Sequence, residues 1–137
     1  LEERVAGLSQ AVLTRREGEE WSLQENAGHL WDMEGLWAGR LEDFLNGAEM
    51  LRVADLTNRK TYEADHNARP MGEILAGFRA ARLAFVQRLE TLTEADVKRS
   101  SLHPRLKQPM HVIDHAYFVA EHDDHHLAQI TRLRAAK

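Results

Sequence analysis

Apolar residues recur at three- and four-residue steps over most of the chain, and sustained period-two alternation is absent. Leu1, Val5, Leu8, Val12 and Leu13 follow helical spacing and predict a first helix over about residues 1–17. The stretch Glu17-Gly18-Glu19-Glu20 ends it. Ser22 with Glu25 three residues on is a capping-box pattern, in which each side chain satisfies a free amide at the other position, so a second helix opens at Ser22. It carries Leu23, Ala27, Leu30, Leu41, Phe44 and Leu45 on one side, with Trp31 and Trp37 flanking, and stops near Asn46-Gly47. Residues 48–69 are polar and irregular, a connection of the length that is often functional or mobile. Pro70 suits the first turn of a third helix, whose wide apolar face holds Ile74, Leu75, Phe78, Phe85, Val86, Leu89 and Leu92. A second linker covers about residues 100–108, and Pro109 is placed to begin a fourth helix reaching about Leu133. Strand signals are nearly absent. Four amphipathic helices with one long crossover, between helices 2 and 3, predict an all-α four-helix bundle; another all-helical packing of the same elements is the alternative.

The chain has 137 residues, enough for one domain with a core that needs no staples. It contains no cysteine, which excludes disulfides, thiolate zinc sites, iron–sulfur clusters and thiol nucleophiles, and suits a reducing cytoplasm. A formal charge of −4 argues against coating nucleic acid. No apolar run approaches the roughly 20 residues that cross a bilayer, and no targeting leader is legible in the opening residues. No Gly-rich phosphate loop and no Gly-x-Ser-x-Gly elbow occurs.

The unusual feature is eight histidines, several of them where a bundle places leucine. One face of the fourth helix collects His111, His115, Phe118, Val119, His122, His126, Gln129, Ile130 and Leu133. An unpaired polar group in a core costs about 1–3 kcal/mol, so several imidazoles together need a common partner. His122 and His126 lie one turn apart, with Cβ atoms roughly 5–6 Å from each other, and can converge on one divalent cation. A third ligand has to come from another helix. His29, at the margin of the second helix's apolar stripe, is the best candidate, although an exposed or interhelical role fits its periodicity equally well. His115, one heptad before His122, can be a further ligand, a proton shuttle or a substrate contact. His125 points about 100° away from His126 and reads as a surface or subunit-contact residue. His66 and His103 fall in linkers and receive no role. Trp21, Trp31 and Trp37 read as core or subunit-contact residues, with a substrate wall as the lesser use. The segment His122-Asp123-Asp124-His125-His126 is not His-Glu-x-x-His, so a metalloprotease motif is excluded. Paired Glu-x-x-His units of di-iron bundles are missing as well.

Trp21-Ser22-Leu23-Gln24-Glu25, followed by His29, and Glu121-His122 with His126, Gln129 and Ile130 resemble the DinB/YfiT-like family in element order along nearly the whole chain. The resemblance implies a four-helix bundle, often a homodimer, that binds one divalent metal ion per chain, zinc or nickel, through His29, His122 and His126. It also implies a metal-dependent hydrolase or thiol transferase, whose small-molecule substrate includes water or a low-molecular-weight thiol activated beside the metal. Neither nucleic acid nor a membrane is an expected partner.

Three imidazoles leave such an ion positively charged with a coordination position open, which makes hydroxide or thiolate available near neutral pH. His115, Glu25 and Asp32 are the candidates for a general base, and Glu25 can equally orient His29 from behind. Two rival readings remain. One is a non-catalytic module in which a metal ties the bundle together; the other is an interaction protein using the Trp-rich second helix and the crossover. Three protein ligands with an open position favour catalysis, whereas four ligands favour structure.

Overall fold

The computed structural model, which describes residues 1–136, breaks the predicted first helix in two. Helix α1 spans Glu2–Val5 and α2 spans Gln10–Leu13. Between them Gly7 takes a φ of +73°, which no α-helix accommodates, and the Ser9 hydroxyl then accepts the Val12 N–H to cap α2. Val5 and Leu13 are buried nonetheless, so the apolar spacing marks the core even where the helix is interrupted.

The capping box at Ser22 forms as predicted. Glu25 N–H donates to Ser22 Oγ at 3.1 Å, and Ser22 N–H donates to Glu25 Oε2 at 2.8 Å. Helix α3 follows over Leu23–Leu45. The crossover is not wholly irregular: it contains α4, Arg59–Ala64, and a short 3-10 turn, His66–Ala68. Pro70 stands at the N-cap of α5, Met71–Glu90, and the one-turn α6 spans Glu94–Val97.

The second linker and the expected start of the fourth helix form a small hairpin instead. Strand β1, Ser100–Leu102, pairs antiparallel with β2, Pro109–His111, with Ser101 opposite Met110. Three-residue strands carry too little alternation to show in a sequence, and Pro109 proves to be a strand end rather than a helix start. The hairpin also holds the crossover, because Leu51 N–H donates to Leu102 O and Leu102 N–H donates to Glu49 O. Helix α7 then runs over Val112–Ala135. His111 lies at its N-cap, exposed, with its backbone N–H donating to Asp114 Oδ2; it does not share the buried stripe.

Helix α3 is the centre of the four-helix bundle and packs against both α5 and α7. The buried side chains form two clusters. At one end Val5, Leu13, Leu23, Ala27, Ile74 and Ile130 meet, and at the other Trp37, Leu41, Phe44, Phe85 and Val119. The residues of α3 and α7 between these clusters, near 29–34 and 122–126, include the polar ones that matter below. Among the described residues no helix is long and apolar enough to cross a membrane.

Candidate metal centre

His29 on α3 faces His122 and His126, one turn apart on α7, across the gap between the two core clusters. One nitrogen from each ring can be chosen so that all three lie within 4.8 Å of one another. His29 Nε2 stands 3.3 Å from His122 Nε2, and the His29 and His126 ring centroids are 4.6 Å apart. His29 and His126 are buried. Trp21, from the loop before α3, covers one side, its ring centroid 4.8 Å from that of His29.

Two of the rings are oriented from behind. His29 Nδ1 lies 2.9 Å from Thr61 Oγ1 on α4, and the Thr61 hydroxyl donates to Asp32 Oδ2 at 2.8 Å. Since the hydroxyl proton goes to the carboxylate, Thr61 accepts the His29 Nδ1–H, leaving Nε2 with a free lone pair. His126 Nδ1 lies 2.9 Å from Asn26 Oδ1, while Asn26 Nδ2 donates to Ser22 O at 2.9 Å. The amide is therefore held with its oxygen toward His126, which again places the proton on Nδ1 and the lone pair on Nε2. His122 Nδ1 is buried without a partner. Burial also keeps these rings neutral: it pushes His29 down to about 4 and His126 down to about 3, and lowers His122. Each ring thus offers a neutral nitrogen of the type that ligates metal, and the donor set fits a metal ion.

The other sequence candidates do not join this group. His115 is fully buried among the rings of Trp37, Phe44 and Phe85, with Nε2 donating to Trp37 O at 3.0 Å. Glu25 is occupied by its capping box and by an ion pair with Arg16. Asp32 is the acceptor at the end of the Thr61 chain and also meets His66 Nε2 at 2.8 Å. His125 is exposed.

Sequence reasoning misses three residues that position the centre. Asn26 had a signal, since it lies one turn before His29 on α3. Thr61 had none, because its partner is 32 residues away across an irregular-looking crossover. His66, assigned no role above, is almost fully buried against Gly28, where any β-carbon would collide with its ring. Gln24 secures that turn by donating to His66 O and Arg69 O.

On the side toward α5 the polar layer is closed by an ion-pair network. Arg82 donates to Glu34 Oε1 on α3 and to Asp123 on α7, next to His122. On another side a cavity of about 270 Å³ opens against His29 and His122, walled by Met33, Trp37 and Phe118. Trp37 therefore serves both the core and a cavity wall.

No curated protein matches the chain. A solved structure from Bacillus subtilis, described as "YfiT from Bacillus subtilis is a probable metal-dependent hydrolase with an unusual four-helix bundle topology", superposes with a TM-score of 0.83. The match covers 96% of this chain and 76% of that one at 22% identity, so the likeness is one of fold. Residues 1–130 match the family described as the DinB superfamily, a span that includes all three histidines, the whole of α3 and α7 as far as Ile130. With that coverage, the bundle topology and the motif on α7 agree, and the chain belongs to the DinB superfamily.

Proposed function

We propose that the protein binds one divalent metal ion through Nε2 of His29, His122 and His126 and is a metal-dependent hydrolase or thiol transferase acting on a small molecule. The observation that carries this reading is the convergence of three neutral imidazoles beside a cavity, two of them with the tautomer set by Thr61 and Asn26. The description of YfiT as a probable metal-dependent hydrolase points the same way. Zinc and nickel both suit an all-imidazole donor set.

When bound, such an ion supplies positive charge that lowers the pKa of a water or thiol beside it. The chain's own residues do the rest. Thr61 and Asp32 hold His29 in one tautomer, and Asn26 does so for His126. Trp21 lies against the His29 and His126 rings, and the cavity bounded by Trp37 and Phe118 reaches His29 and His122, giving a substrate an approach to the centre. Three protein ligands next to a cavity favour a reactive site over a purely structural one.

Metal analysis of protein purified without a histidine tag tests the site, with about one divalent ion per chain expected. A metal-free chain that takes up none on titration defeats the proposal. Activity is tested with ester and amide substrates and with thiol-plus-electrophile pairs. Turnover should disappear with a chelator and return with the metal.

A further inference from the structure

The cavity continues along α3 beyond the histidines. His29, Met33, Trp37 and Arg40 follow at steps of four, four and three residues, so they share one helix face, and all four line the cavity. From His29 to Arg40 that face extends roughly 16 Å along the axis at 1.5 Å per residue. At the far end Arg40 is only 3% exposed. Its Nε donates to Arg52 O at 3.1 Å, and among the described residues no carboxylate pairs with its guanidinium. A buried guanidinium with no directly bonded carboxylate is unusual, because burial disfavours the charged form and the charge of nearby Asp43 offsets that only in part.

The nearby acids are already engaged. Asp43 takes three hydrogen bonds from Arg52, through the backbone N–H, Nε and Nη2. Asp55, also on the cavity wall, accepts from Thr57 N–H and hydroxyl and from Arg59 N–H. His103 lines the same end and is 5% exposed. Its Nδ1 accepts the backbone N–H groups of Arg105 and Leu106, so the ring proton resides on Nε2, a donor with no acceptor among the described residues. Arg105 adds a second cation to the lining.

We propose that Arg40 and His103, with Arg105, form a carboxylate-binding subsite at the end of the cavity away from the three histidines, so that the substrate is a small organic acid with an apolar body. The substrate class rests on the reading of this cavity as the metal centre's substrate site. A guanidinium fork and a neighbouring imidazole N–H match the two oxygens of one carboxylate, and its single negative charge supplies the directly bonded partner that Arg40 lacks. Met33, Trp37 and Phe118 then enclose the apolar part between the two polar ends.

The test is calorimetric titration of the metal-loaded protein with hexanoate, hexanol and inorganic phosphate. Hexanoate should bind at least about tenfold more tightly than hexanol, the factor expected for hydrogen bonds to a charged group. Arg40→Met should remove that preference while leaving hexanol unchanged, and Arg40→Lys, which keeps the charge and loses the fork, should fall between. If Arg40→Met does not fold, Arg40→Lys carries the test through the same ratio. Equal affinities for hexanoate and hexanol, or hexanoate affinity unaltered by the substitutions, overturns the subsite. Tighter binding of phosphate than of hexanoate overturns the carboxylate assignment. Repeating the titration on metal-free protein separates the two proposals. A retained hexanoate preference in a chain that never takes up metal removes the metal centre and leaves the anion subsite standing. Stoichiometric metal binding with no such preference does the reverse.

Discussion

Thr61 Oγ1 lies 2.9 Å from His29 Nδ1 and 2.8 Å from Asp32 Oδ2, so one hydroxyl in the crossover connects a candidate metal ligand to a buried carboxylate. Outer partners of this kind typically change metal affinity by about 10–100-fold when removed. Thr61→Val keeps the shape and loses the relay. It is expected to weaken metal binding by about tenfold or more, with helical content unchanged in circular dichroism. Asn26→Leu should do the same through His126. Wild-type affinity in both variants would mean that the rings need no such support.

The three histidines should also be separable from their neighbour. His122→Ala and His126→Ala each remove a nitrogen from the group, and metal titration should show a strong loss in both. His125→Ala removes an exposed ring that lies outside it and should bind as the wild type does. Equal loss in all three would show that the ligand set is drawn wrongly.

The metal-free protein should weaken in mild acid. His29 and His126 are held neutral by burial, at about 4 and about 3, against an ordinary value of 6.5. Below pH 6.5 the unfolded chain takes up protons that the native chain refuses, so unfolding is favoured as the pH falls. Their contribution is complete above pH 6.5 and is lost progressively down to about pH 3–4. Asp32 adds in the same direction at the acid end, since its bonds to His66 and Thr61 hold its carboxyl below the usual range even against burial. Urea unfolding at a series of pH values measures the slope. Replacing His29 and His126 together by Gln should flatten it between pH 6.5 and 4, and an unchanged slope would assign the effect elsewhere.

Two substitutions away from the ligands test the frame that holds them. Gly28→Ala sets a methyl against the His66 ring and should destabilise the fold by about 1–3 kcal/mol, read as a lower denaturation midpoint. Arg82→Met leaves the buried Glu34 without its cation. Breaking a buried pair costs about 3–5 kcal/mol, and Arg82's partial exposure places the expected loss at the low end of that range. Combining Arg82→Met with Glu34→Gln should recover part of it.

Much of the architecture is legible in the order of residues, for reasons that are local. Ser22 and Glu25 interact within one turn, and the apolar steps of α3, α5 and α7 report which face of each helix loses water. His122 and His126 come together through helical geometry alone. What failed also failed locally: Gly7 interrupts a spacing that otherwise reads as helical, and the hairpin of Ser100–Leu102 with Pro109–His111 is too short to alternate.

The rest depends on distances between segments that no periodicity encodes. His29 joins the α7 pair only because α3 and α7 pack at that level, and an equally periodic helix could have turned it outward. Thr61 reaches His29 and His66 reaches Asp32 because Gln24 and Gly28 seat the crossover against α3. His103 meets the cavity of Arg40 only through the hairpin that pairs Leu102 with the crossover. Residue order by itself determined the three long helices, their buried faces and one histidine pair, since each follows from contacts within a few residues. Tertiary packing alone decided which imidazole completes the group, which nitrogen each ring presents and which buried cation has no carboxylate bonded to it among the described residues, because those outcomes depend on hydrogen bonds and burial between elements far apart in the chain.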